Sequence, residues 1–223
     1  MDFRNALNGI KIMLMSSIFF IVSGAVTLLL LFISVLLVFN LVDHSLMPIL
    51  AFSILLSLFC LSTTAIVLRT TAFFRISKDE KRYSRIAAFI TIFSCIMFIV
   101  QSIENAYGNI ILNVASSIIT TLADIAVDLL FFLTISTIMK KVGRNDIIAS
   151  GKIIFIAQTI TGVLAITRIF FKLNSFSFIT TALYIPEFAL SIIYMNFIRK
   201  IRNVLTEHQD KLLSNSIQAE NIQ

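Results

Sequence analysis

Five ionisable side chains interrupt the apolar stretches of this 223-residue chain: Glu104, Asp124, Asp128, Arg168 and Glu187. In hydrocarbon such a group is costly, so it turns toward a partner or a wet interior. Asp124 and Asp128 stand one helical turn apart on one face. At that spacing both cannot ionise cheaply, so a proton or a cation must share the site. At about 1.5 Å per residue, Glu187 and Asp124 fall near the centres of their runs, with Asp128 about a turn inward. Glu104 and Arg168 are both displaced outward by roughly 10 Å, which makes them the natural ion pair. That pairing leaves Asp124, Asp128 and Glu187 with no counter-cation at mid-depth. The chemistry this allows is the binding or movement of a cation, a proton or a small cationic ligand. The plainer reading is protonated carboxyls that hydrogen-bond Ser, Thr and Tyr across helices as packing glue.

Polar neighbours fall in register with these acids. Asn113, Ser117, Thr120 and Thr121 share the face of Asp124 and Asp128 at steps of three and four. Gln158, Thr161 and Ala165 lead to Arg168, and Thr180, Tyr184, Ser191 and Tyr194 flank Glu187. Thr91, Ser94, Gln101 and Asn105 form a matching stripe beside Glu104. The first two apolar runs carry only mild Ser/Thr stripes. The expectation is a polar seam among helices three to six, with one and two peripheral. Within it Asp124, Asp128 and Glu187 supply charge, Gln158 and Tyr184 neutral hydrogen bonds, and Glu104–Arg168 an outer latch. Pro186, just before Glu187, removes a backbone donor and crowds the carbonyl of Ala182. A freed carbonyl there could join a ligand site, or the proline could only shape packing.

The elements that must position these residues follow from composition. The chain is 58% hydrophobic and 13% charged, against about 45–50% and 25% in soluble domains. Disorder, a disulfide scaffold and an ordinary soluble enzyme are excluded on that ground. Six apolar runs are long enough to cross a bilayer: about 12–42, 46–68, 86–107, 110–139, 150–171 and 176–198. Outer-membrane barrel strands would be shorter and alternate in polarity. The expected fold is all-α, a bundle of six transmembrane helices over 1–200, with a cytoplasmic amphipathic or disordered tail over 201–223. The first run is too long for a signal peptide and ends without a small-residue cleavage site, so it is expected to be retained.

Cations set the orientation. Arg4 and Lys11 precede the first run; Arg69, Arg75, Lys78, Lys81, Arg82 and Arg85 lie between the second and third. Lys140, Lys141, Arg144 and Lys152 join the fourth to the fifth, and Arg199, Lys200, Arg202 and Lys211 follow the sixth. Sixteen of the eighteen basic residues thus fall on one side, which predicts both chain ends in the cytoplasm and a cell (plasma or inner) membrane. The net charge of +6 is then a topology signal rather than a nucleic-acid footprint. In this reading the stretch from Arg69 to Arg85 is the largest inner connection, either an interfacial segment carrying Phe73, Phe74 and Ile76 or a solvated loop. The expected partners are the bilayer, a small cation or cationic ligand, and a protein at the basic inner face; nucleic acid is not among them.

No cofactor, metal set or catalytic group is expected. His44 and His208 lie outside the apolar runs, and Cys60 and Cys95 read as reduced packing residues. Two classes remain ahead of an intramembrane enzyme. One binds or moves a cation in an acidic cavity. The other is a receptor, sensor or accessory subunit whose polar seam serves packing and partner binding.

Overall fold

In the computed structural model the chain is all-helical, and residues 2–38, 47–107, 110–172 and 178–220 are described, with side chains excepted at 30–38, 47–55, 102, 104–107, 110, 168–172, 178–184 and 219–220. Six helices follow in order: α1 (Arg4–Val38), α2 (Met47–Ile76), α3 (Lys81–Tyr107), α4 (Ile110–Val142), α5 (Asn145–Lys172) and α6 (Phe178–Glu220). Among the described residues five are long and apolar enough to cross a membrane, within α1 to α5. This architecture is consistent with a multi-pass membrane protein.

Each helix packs on its sequence neighbour, and α6 returns to pack on α1, so the six close a ring. Short connections make neighbours antiparallel. The ring therefore has one end built from the starts of α1, α3 and α5, the ends of α2 and α4, and the middle of α6. We call this end the base.

The base is filled with large apolar side chains. Phe3, Ala6, Leu7, Ile10 and Met13 are buried on one face of α1, while Arg4, Asn8 and Lys11 on the other are exposed. This amphipathic start explains why α1 begins eight residues before the apolar run expected at 12. Against it pack Phe73 and Ile76 of α2, Phe131, Ile135, Ile138 and Met139 of α4, and Ile198, Ile201 and Leu205 of α6. The last two show that α6 continues without a break into the tail and belongs to the core there. Pro186 lies inside the same continuous helix.

The connection expected over 69–85 is largely helix. α2 runs to Ile76 and α3 starts at Lys81, which leaves a four-residue turn. Phe73 and Ile76 are fully buried rather than interfacial; Phe74 is exposed, edge-on to Phe89. The turn also caps α1: Asp79 accepts the Ala6 N–H at 2.6 Å and the Asn5 amide at 3.0 Å. A carboxylate there satisfies orphan donors and opposes the helix dipole. Asp2 caps the same helix, and the Arg4 N–H it accepts holds its carboxyl below the usual range. α4 ends at Gly143, whose φ of 77° is the left-handed stop that lets the Arg144 N–H reach back to the Met139 carbonyl at 2.9 Å.

Candidate functional site

Above the base the ring is not filled. A cavity of about 480 Å³ opens there, and every helix contributes to its wall. α4 presents Asp124 and Asp128, α3 Ser94, α5 Gln158 and α6 Glu187. α1 adds Phe20 and α2 adds Ser62, Ile66 and Arg69. The expectation that the first two helices are peripheral is thereby corrected. The reason is size: Ser, Thr, Gly and Ala at this height are too small to fill the centre of a six-helix ring.

Arg69 is the main departure from the sequence reading. The apolar run length puts it in an inner connection, but it sits inside α2, seven residues before that helix ends. Its guanidinium reaches across the ring, past α3, and donates to the Asp128 carboxylate. Both side chains are largely buried, with 13% and 18% of their surface exposed. The expectation of three mid-depth acids without a cation is therefore overturned, because Asp128 is neutralised in place. Such a pair holds a structure chiefly by what its breakage would leave behind, an uncompensated buried charge.

Directly beneath the pair lies an aromatic layer. Phe73, one turn after Arg69, meets Phe131 edge-on at 6.1 Å between ring centres. Phe131 meets Tyr194 of α6 at 5.8 Å in the same manner. These edge contacts fill the ring on the base side of the ion pair.

The remaining acids differ from Asp128. Asp124 accepts one hydrogen bond from Ser94, at 3.1 Å, and is exposed along the cavity wall. Glu187 and Gln158 are half-buried and line the same cavity. Four of the predicted site residues, Asp124, Asp128, Gln158 and Glu187, thus meet around one space. Tyr184, Glu104 and Arg168 have side chains outside the described residues, as does their expected ion pair. Cys60 and Cys95 are free thiols. Among the described residues no three His, Cys, Asp or Glu side chains converge as a metal-binding group.

The wall has a chemical polarity of its own. A hydroxyl has one proton to donate and two lone pairs to offer. Thr91, Thr120 and Thr121 give that proton to carbonyls one turn back on their own helices, at 2.7, 2.8 and 2.9 Å. Thr161 and Ser191 do the same, each at 2.9 Å. All five line the cavity, so what they turn inward is acceptor oxygen. Farther along the α3–α4 contact, Gln101 donates to Ser117 at 2.5 Å and ties the two helices together.

A smaller cavity of about 210 Å³ adjoins the first and shares Arg69, Asp128, Gln158 and Ser191 with it. Comparison of the chain with protein-family models, with curated proteins and with solved structures finds no match.

Arg69 and Tyr194 are the residues sequence reasoning missed as parts of one site. A signal for Arg69 was present. Ser62, Ile66, Arg69, Phe73 and Ile76 fall at offsets of zero, four, seven, eleven and fourteen, one face of a continuing helix.

Proposed function

We propose that this protein is a six-span membrane protein, both ends in the cytoplasm, whose central cavity binds a small cationic group. The first half of α6 supplies the sixth span, and the cations around the base, from Arg75 to Lys200, support that end as the cytoplasmic one. The observation that carries the binding reading is the wall's polarity. Hydroxyl oxygens from four helices offer lone pairs around the open carboxylate of Asp124. An ammonium or hydrated cation brings donors or charge to match those oxygens. A volume near 480 Å³ also lies in the range of small-molecule sites, about 300–1,000 Å³.

The cavity ends on the packed base, and this favours a second reading alongside transport. A sensor or receptor needs only that the site be occupied, whereas transport requires the base to part. Titration of the purified protein in lipid nanodiscs with propylammonium tests the shared premise. Saturable binding is expected, with Asp124→Asn weakening it by about tenfold or more while its melting stays near wild type. No saturable binding, or equal affinity in the variant, contradicts the proposal. Propylammonium flux into proteoliposomes then separates transport from sensing.

A further inference from the structure

The smaller cavity adds a donor, the Tyr194 hydroxyl, that the larger one does not have. Arg69 borders both spaces. Of its five N–H donors, one is engaged by Asp128 among the described residues. Tyr194 faces the same guanidinium, and its buried hydroxyl gives its proton to no acceptor among the described residues. Gln158 adds an amide at the shared wall. Ser16 and Ser17, opposite, have already given their protons to the carbonyls of Ala65 and Met13, at 2.8 and 3.0 Å. Unspent donors therefore gather around Arg69, and acceptors around Asp124. The small cavity is an annex of the larger one, bounded by Met13, Phe20 and Tyr194.

Resting on the cation-binding reading above, we infer that the ligand is a small zwitterion of amino-acid size. Its cationic end lies against Asp124, and its carboxylate enters the annex to meet Arg69 and the Tyr194 hydroxyl. The guanidinium fork serves two carboxylates at once, one from Asp128 and one from the ligand. Asp124 and Asp128 are one turn apart, so the two ends of the site are separated by roughly 6 Å along α4. That separation along the helix fits the two charged ends of a short amino acid. A simple cation would leave the Arg69 and Tyr194 donors unanswered, and a simple anion would face Asp124.

Three matched probes test this in nanodiscs: β-alanine, propylammonium and propionate. β-Alanine is expected to bind about tenfold or more tightly than propylammonium, with propionate weakest, as an added charge-assisted hydrogen bond requires. Tyr194→Phe, which keeps the ring against Phe131, should narrow the gap between β-alanine and propylammonium by about threefold to tenfold. Equal binding of β-alanine and propylammonium by the wild type overturns the zwitterion and leaves the cation site standing. A gap unchanged by Tyr194→Phe also overturns it and assigns the annex to water. Failure of propylammonium and β-alanine alike removes both readings.

Discussion

The two halves of the ring use the same six helices and reach opposite results. In the base, Phe3, Ile10, Phe73, Ile76, Ile138 and Ile198 are no more than 1% exposed. Half a helix length away, Ser94, Thr120, Thr121, Thr161, Gly162 and Ala165 leave a space wide enough for a ligand. Ring closure sets the central width, and side-chain volume alone decides whether it is filled. The Arg69–Asp128 pair and its aromatic layer mark the boundary. The lesson is that the cavity is written as a run of small residues at one height rather than as any single motif.

The largest effect should come from breaking that boundary. Arg69→Gln strands Asp128 in a low-dielectric setting and should cost about 3–5 kcal/mol, read as a fall in melting temperature and folded yield. Adding Asp128→Asn should recover most of it. An Arg69→Gln protein that melts like the wild type would mean the pair does not hold α2 to α4.

Next comes a direct contrast between the halves. Ile198→Ala in the base should cost about 2–5 kcal/mol through the void it leaves. Thr121→Ala on the cavity wall borders space already open and should stay within about 0.5 kcal/mol. Similar losses at both positions would erase the distinction between a filled and an open half.

The glycines sharpen it further. A Cβ on Gly9 would come within 2.5 Å of Ile76 Cγ1 and 2.8 Å of the Ala72 carbonyl oxygen. Gly9→Ala should therefore cost about 1–3 kcal/mol by overpacking. At Gly24, in the upper half, the nearest atom is Phe188 Cδ2 at 3.1 Å. That ring can yield, so Gly24→Ala should melt closer to the wild type.

The smallest effect is titration of the α1 cap. The Asp2 carboxyl is held below its ordinary value by the Arg4 N–H, so its contribution is present above the unfolded value. It is lost as pH falls through the depressed one. Asp2→Asn should flatten that acid limb of the melting profile by lowering stability slightly at neutral pH while leaving the acid end unchanged.

Much of this was legible in the sequence. Six helices follow from apolar run length, and the α4 stripe from Asn113 to Asp128 follows from steps of three and four. Two things were not. The ends of α1 and α2 are amphipathic, so a hydropathy reading stops short at 12 and 68 although the helices continue to Arg4 and Ile76. The basic residues there read as loop, and Arg69 reads with them. Pairing across a ring is also invisible to spacing along one helix. Arg69 and Asp128 are 59 residues apart, and nothing local to either names the other. The share of α1 and α2 in the cavity was hidden for a related reason, since Phe20, Ser62 and Ile66 carry little polarity.

The central claim is an open, cation-preferring cavity above a closed base, and thiol accessibility tests it most directly. In a chain with Cys60 and Cys95 replaced by serine, single cysteines at Thr121 and Ile198 would be treated with small thiosulfonates, one cationic and one anionic. The account predicts that Thr121→Cys reacts, faster with the cationic reagent, and that Ile198→Cys stays protected from both until the protein unfolds. Equal labelling at the two positions, or faster anionic labelling of Thr121→Cys, would contradict it.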